Sequence, residues 1–366
     1  MGSHPLLDVL AAIFMLMADN VASLLQQNAY VIILALGMLM IIIAGHIDLS
    51  VGSVVAFLGG IMGIAMIHWG LNWVVACLIG IVVGAWQGFW VAYVGIPGFI
   101  VTLAGMLLFR GLAIVIVGET IAGFPSGFVQ VANGGILGLF GFAGQADLFT
   151  LAITVLAVAA FVFTQFRARR RLINYQLATE PTGLYLTRLI GVSALVAAFG
   201  WILSLSAIGT PYVLVICGVL VLAYSFVMSN SVFGRNIYAI GGNIAAARLS
   251  GIDVRKSHFL MYVNMGFLTA IAAIVTTSRS GAAVAAVGQN YELDAIAACF
   301  IGGAAVSGGV GRVSGTIIGA LVMGVLNMGL SIMNVDAAWQ QAIKGLVLLL
   351  AVAFDMIQKR RGTSGR

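Results

Sequence analysis

VASLLQQNAYVIILALGMLMIIIAG, residues 21–45, runs for 25 residues without one Asp, Glu, Lys or Arg. As an α-helix rising about 1.5 Å per residue, it is long enough to cross the roughly 30 Å hydrocarbon layer of a bilayer. The same reading applies to apolar segments near 6–18, 53–68, 71–94, 98–118, 148–166, 184–206, 211–228, 258–277, 291–307, 313–333 and 338–357. Hydrophobic residues make up 62% of the 366 and charged residues 8%, against about 25% charged in soluble domains. Mean hydropathy is +1.13. The short alternating segments of an outer-membrane barrel are missing from this pattern. The fold class expected is an all-α polytopic membrane protein, one transmembrane domain over 1–366 with about ten crossings.

Not every segment reads as a full crossing. The first is short and carries Asp8. Those that start near Asp48 and Glu292 open on polar residues and are rich in glycine, the pattern of broken or re-entrant helices. Ten to twelve passes are compatible with the sequence. The opening MGSH resembles an expression scar, and Leu6 to Ala18 lacks the basic flank of a cleavable signal.

Charge placement gives a topology. The net charge of +6 is gathered into RARRR at 167–171, a basic stretch over 235–256, and KRR at 359–361. Two apolar segments separate the first cluster from the second and four separate the second from the third, so all three fall on one side. Short cytoplasmic loops retain Lys and Arg, so that side is the cytoplasm. No Lys or Arg lies between Arg110 and Arg167, which puts the Gly- and Phe-rich loop 119–147 outside and both termini inside. Basic residues grouped in this way mark a membrane face and give no reason to expect nucleic acid as a partner. Cys77, Cys217 and Cys299 stand singly in apolar segments, as small packing residues do, and neither a disulfide nor a metal site is expected.

Two stretches resemble each other. IDLSVGSVVAFLGG (47–60) matches YELDAIAACFIGG (291–303) in its acid-Leu start, central Phe and closing Gly-Gly. VVGAWQG with FRGLAIVI (82–88, 109–116) matches IIGALVMG with IKGLVLLL (317–324, 343–350). An odd number of segments separates the first pair, so the copies point in opposite directions. An inverted repeat with halves near 20–166 and 184–357 is expected, and such repeats place a transport pathway at their interface.

One stretch breaks the apolar pattern: AIGGNIAAARLSGIDVRKSH, 239–258, with Arg235 just ahead and Arg248, Arg255 and Lys256 inside. Asn243 can cap a helix beginning at Ile244, and Gly251 can supply the left-handed residue that ends it. About seven residues remain, roughly 10 Å of helix. Ile244 and Leu249 offer apolar contacts, while Ala245, Ala246 and Ala247 keep the helix slim enough to enter a groove. Asp253 can cap the next helix, which runs into the membrane. Such a unit can transmit force from a docked partner. It can equally be an amphipathic loop lying on lipid headgroups; the residues by themselves leave both readings open.

The segment resembles the cytoplasmic coupling loop of bacterial ABC-importer permeases, whose signature is an acid, two alanines, three variable residues and glycine. Ala246-Ala247-Arg248-Leu249-Ser250-Gly251 supplies all but the acid, in whose place Ala245 stands. GGNxxAARLSGI is similar to the ribose/xylose/galactose branch. So are AGHIDLSVGS (44–53), FIVTLAGMLLFRGL (99–112), YELDAIAACFIGG (291–303), SGGVGRVSGTIIGA (307–320) and QQAIKGLVLLLAV (340–352). HIDLSVGS and Trp86-Gln87-Gly88 look most like the xylose and multiple-monosaccharide members. The resemblance covers roughly 20–360; ahead of it the family's fuller first helix is not matched.

The resemblance implies a permease subunit working as two copies, with a cytoplasmic ATPase, often of two fused nucleotide domains, and a periplasmic sugar-binding protein. The loop 229–257 would carry the coupling helix, and the ATPase would dock on Asn243, Ile244, Ala246, Ala247, Arg248, Leu249 and Gly251. ATP would bind the partner, and no cofactor is expected in this chain. In keeping with this, no Gly-Lys dipeptide occurs, so the phosphate-cradling GxxxxGK[ST] loop is excluded. SGGVGRVSG lacks that lysine and reads as a site of close helix packing or of a break.

A sugar path needs polar groups that exchange hydrogen bonds. Asp48, Ser50, Glu292 and Asp294 are candidates, because ionisable groups at membrane depth are costly and usually face a cavity. Against this, Asp48 and Glu292 could simply cap the helices they precede, and capping is the favoured reading of those two. Trp86, Gln87 and Asn264 are further candidates. Arg110 and Lys344 hold matching repeat positions and are expected to snorkel toward headgroups. Among rivals, an intramembrane serine protease would need a histidine facing Ser307 or Ser314, yet His4, His46, His68 and His258 all lie near segment ends. An ion-coupled secondary transporter would share the inverted repeat and the acids but has no use for a docking helix. A nucleoside or autoinducer permease of the same branch differs only in substrate.

Overall fold

The computed structural model describes residues 17–363, so the expected short segment at 6–18 lies almost wholly outside them. Fourteen α-helices dominate: α1 Ala18–Ile43, α2 Val51–Gly63, α3 Val74–Phe89, α4 Gly98–Val117, α5 Ser126–Asn133, α6 Leu148–Asn174, α7 Thr182–Ser204, α8 Tyr212–Asn230, α9 Val232–Gly242, α10 Ile244–Leu249, α11 Val254–Ser280, α12 Tyr291–Ile301, α13 Val313–Ile332 and α14 Ala337–Thr363. Among the described residues nine helical stretches are long and apolar enough to cross a membrane, and α14 adds a shorter apolar run, Ala337–Ala353. The all-α polytopic class is what the apolar runs predict. Of the three segments expected to be incomplete, the two at Asp48 and Glu292 lie within the described residues, and of these α12 is short. Its 11 residues reach only about 16 Å. The Asp48 segment is not short: α2 continues through a π-helical turn, Ile64–His68, to a stretch of 18 residues.

The chain divides into two compact units, Met1–Ser23 with Gly134–Tyr212, and Leu24–Asn133 with Val213–Arg366. In the larger unit the stretch 31–43 of α1 is apolar and buried on every face. Val31, Ile33, Leu34, Met38, Leu39, Ile41 and Ile43 are fully buried. α3 lies along α11 with no room for side chains between them. A Cβ on Gly84 would collide with the Tyr262 carbonyl oxygen, and one on Gly266 with that of Gly80. Small residues spaced by four let membrane helices approach to backbone contact, where dispersion and packing replace the hydrophobic effect as the source of association. α12 and α13 meet in the same manner at Gly302 and Gly315. A short antiparallel pair, β1 (Thr120–Ala122) with β6 (Ala282–Val284), and α5 against α11 complete this unit.

In the smaller unit α6 packs on α7, with Gly200 admitting the Thr154 side chain. Two minimal strand pairs sit at one end: β2 (Gly135–Ile136) with β5 (Thr210–Pro211), and β3 (Phe142–Ala143) with β4 (Ala146–Asp147). Asp147 caps α6, accepting from Thr150 N at 2.8 Å and Thr150 Oγ1 at 2.6 Å, and takes a third bond from Gly138 N at 2.7 Å. Burial pushes its carboxyl up, but these donors outweigh it and hold the group below the usual carboxylate value. At the other end Arg169 donates to Thr182 Oγ1 at 2.9 Å and stacks 4.3 Å over the Tyr185 ring.

Candidate functional site

The basic stretch folds as its caps require. Ser231 accepts from Gly234 N to start α9, and Asn243 both ends α9 and starts α10, its Oδ1 accepting from Ala246 N at 3.0 Å. α10 closes in a Schellman motif. Gly251, at φ +82°, donates to the Arg248 carbonyl at 3.0 Å, and Ile252 donates to the Ala247 carbonyl at 3.1 Å. Asp253 accepts from Lys256 N at 2.9 Å and begins α11. A six-residue helix would not persist in water unaided; here both ends are tied and Ala247 is buried with Ile240 and Val254. The rest of the helix faces outward. Leu249 is 90% exposed, and Ile244, Ala246 and Arg248 are exposed beside it.

α9 joins this helix to the interior by backbone contacts. A Cβ on Gly241 would overlap the Ile43 carbonyl oxygen at the end of α1. The same carbonyl accepts from Gly309 N at 2.8 Å. Tyr238 of α9 donates its hydroxyl to the Gly311 carbonyl at 2.8 Å. Burial pushes the Tyr238 phenol up, and Arg312 nearby pulls the other way. The Gly-rich 307–311 segment is therefore a packing element between the basic loop and α1, and it is also a break, lying outside helix between α12 and α13. Three residues past α1, His46 meets the edge of His258 on α11, ring centroids 4.6 Å apart.

The polar candidates form separate groups in the larger unit. Asp48 and Ser50, each about 1% exposed, are bonded together: Asp48 Oδ1 accepts from Ser50 N at 2.8 Å and Ser50 Oγ at 2.7 Å. Gln87 Nε2 donates to Ser50 Oγ at 2.6 Å, so α3 and the 44–50 segment meet here. Trp86 is not with them. It lies on the outer face of α3, 38% exposed, against Trp90 and Phe109. Asn264 accepts from the Tyr224 hydroxyl and donates to Met40 Sδ at 3.4 Å, linking α8, α11 and α1.

The favoured capping role of the two acids is not what the structure has. Ser50 occupies the cap position of α2, and Asn290 that of α12. Asp48 instead braces the irregular segment ahead of α2. Glu292, 8% exposed, lies in the first turn of α12 with Oε2 against Gly52. Through this contact of Glu292 on Gly52 the two acid-Leu stretches that resemble each other in sequence meet in space, and just ahead of the second one Gly288 is in backbone contact with Gly52.

The snorkelling expected of Arg110 and Lys344 is also corrected. Arg110 Nη1 donates inward to the carbonyls of Ala285 and Val287 at 2.7 and 2.9 Å. Lys344 Nζ lies 3.1 Å from Oδ1 and 3.2 Å from Oδ2 of Asp294, which is 1% exposed. Tyr30 donates to Asp294 Oδ2 at 2.6 Å and stacks on Tyr291 at 3.6 Å, and Asn327 approaches the same oxygen at 3.4 Å. A charge at this depth is tolerated when paired and hydrogen-bonded, so ending these stems inside serves better than reaching outward. Lys344 carried a signal in its repeat match with Arg110. Tyr30, Asn327 and Tyr224 carried none, being single polar residues in apolar helices.

Residues 20–352 match the family model described as branched-chain amino acid transport system / permease component. The xylose transport system permease protein XylH of Escherichia coli K12 is 40% identical over 351 residues, covering 94% of this chain and 87% of that protein. XylH of Haemophilus influenzae is 39% identical over 350 residues, covering 94% and 91%. The ribose import permease protein RbsC of Escherichia coli K12 is 33% identical over 341 residues, covering 92% and 85%. No solved structure matches the chain. The family match spans α1 through the capped α10 to the Lys344 helix, and on that ground the chain belongs to this permease family of ABC importers, in the branch that holds the xylose and ribose permeases.

Proposed function

We propose that the chain is the membrane subunit of an ATP-driven importer for a monosaccharide, a pentose or hexose of the xylose type. The observation that carries the reading is α10: capped at both ends, anchored through buried Ala247, and presenting Leu249 and Ile244 to whatever lies beyond. A motor docking over 243–251 would find a rigid peg fixed to α11 and, through α9, to α1. Closing of the ATPase on nucleotide would bias the permease between two packed arrangements. The loop 229–257 is then the coupling loop, and 20–166 and 184–357 are the repeat halves. Nucleotide and Mg²⁺ belong to the partner.

Asp48, Ser50 and Gln87, with Glu292, Asp294 and Asn264, are the groups proposed to meet sugar hydroxyls; Trp86 sits on the outer face and contributes at most an edge. The permease works as two copies in the inner membrane with both termini in the cytoplasm. A periplasmic binding protein delivers the sugar and sets selectivity. The test is ATPase stimulation in proteoliposomes holding the permease, its ATPase and the cognate binding protein, scanned over pentoses and hexoses. Stimulation by xylose or a close relative is expected. Uptake at an undiminished rate with an ion gradient and no ATPase would sink the reading, and stimulation only by a nucleoside or autoinducer would move the substrate.

A further inference from the structure

The cluster RARRR, 167–171, has no task in the transport reading. It ends α6, a helix whose most apolar window is only 6% buried, against 89% for α1. From Leu148 to Phe166 the helix climbs about 28 Å, close to the full hydrocarbon thickness. Arg167 is therefore the first residue at the depth of the lipid phosphates.

The arginines do not share one environment. At about 100° per residue, Arg167, Arg170 and Arg171 fall within one third of the helix circumference, below Phe163. Arg169 falls on the opposite side, where it is tied to Thr182 and Tyr185. The other three are exposed, and their side chains make no hydrogen bond or ion pair among the described residues. They line an open groove of about 710 Å³ with Phe163, Phe166 and Ile173, whose exposures are 64%, 53% and 55%, and Arg169 and Asn174 border the same groove. Every lining residue belongs to α6. Among the described residues no other element borders the groove.

We propose that this face of α6 binds the phosphate headgroup of an anionic lipid, with an acyl chain lying along Phe163 and Phe166. The match is one of chemistry and depth together. Guanidinium forks suit phosphate oxygens, basic residues at the surface attract anionic lipid, and the apolar residues beside them lie on the bilayer side of the charges. A soluble phosphate satisfies only the first of these. An acidic protein face would not account for aromatic residues exposed within the groove.

The test uses full-length protein, stripped of lipid in neutral detergent, with phosphatidylglycerol and phosphatidylcholine adducts counted by native mass spectrometry. Replacing the three arginines together (R167Q, R170Q, R171Q) should lower phosphatidylglycerol affinity by roughly a hundredfold and leave phosphatidylcholine unchanged. The R167K, R170K, R171K variant should retain most of it, which separates charge from misfolding. An equal-charge control (R235Q, R255Q, K256Q) removes only general surface attraction and should lower it less than the groove variant does. Three outcomes overturn the proposal: unchanged phosphatidylglycerol binding in the glutamine variant, an equal loss in the control, or glycerol phosphate competing as well as the intact lipid. Loss of ATPase association with lipid adducts intact would instead make the patch a protein-docking surface.

Discussion

Asp294 sets the energetic terms at the level of single residues. Its carboxylate is sealed from solvent and held by Lys344, Tyr30 and Asn327. Removing one partner of a buried ion pair strands the other charge, at a cost of about 3–5 kcal/mol, whereas removing both costs far less. Lys344→Met is therefore expected to lower the thermal unfolding temperature sharply in detergent. The double variant Asp294→Asn with Lys344→Met should recover most of the loss. Equal melting of the single and double variants would show that the pair is not coupled. Asp147 offers a pH test. Its pKa is depressed in the folded protein, so its contribution is fully present above the unfolded value of about 3.9 and is lost as pH falls through the lower folded value. Wild type should lose stability relative to Asp147→Asn on acidification below about pH 4, and parallel curves for the two proteins would refute the assignment. Little of this was legible beforehand. Both acids of 291–294 stand out in an apolar chain, but nothing in the one-dimensional pattern says that a lysine fifty positions on, and a tyrosine of α1, will turn inward to meet Asp294.

For the elements, legibility followed local chemistry. The α10 caps are written in residues that act within four positions of themselves, so Asn243, Gly251 and Asp253 could be placed from sequence and sit where their hydrogen bonds demand. The expected caps at Asp48 and Glu292 failed because long-range packing, of Gln87 on Ser50 and of Gly52 on Glu292, competes with the local rule. α10 also sharpens the docking test. Ala247 is buried, so a glutamate there would disturb the fold of the loop itself. Leu249→Asp changes only an exposed side chain. It should cut co-purification of the ATPase at least tenfold, about 1.4 kcal/mol, with the melting temperature unchanged. Gly251→Ala places a Cβ on a left-handed residue and should cost about 1–2 kcal/mol of local helix stability; Gly251→Pro also removes the N–H that bonds to Arg248 and should abolish association while membrane insertion persists. Wild-type yields of ATPase with Leu249→Asp and Gly251→Pro would refute docking on this helix.

Across the whole chain, a sequence almost without charge uses backbone as its interior contact material. Gly84 on Tyr262, Gly302 on Gly315, Gly52 on Gly288 and Gly241 on Ile43 are all places where main chain touches main chain. Apolar runs announced the crossings, but these contacts were invisible to hydropathy, since a glycine in a helix and a glycine in a loop score alike. The Tyr238 hydroxyl bond to Gly311 permits a global test that spares the glycines: Tyr238→Phe should leave ATPase association intact and lower sugar moved per ATP hydrolysed several-fold, and an unchanged ratio in proteoliposomes would count against α9 as the link. The corner where Ile43, Gly241 and Gly309 converge has one mechanical consequence. Side chains in a core can change rotamer and absorb a push; three abutting peptide groups have no such slack. A displacement of the loop by a few tenths of an ångström must either be refused or be delivered whole to the most deeply enclosed helix of the protein, which makes that corner a stiff bearing and favours transport in discrete clicks over a graded response.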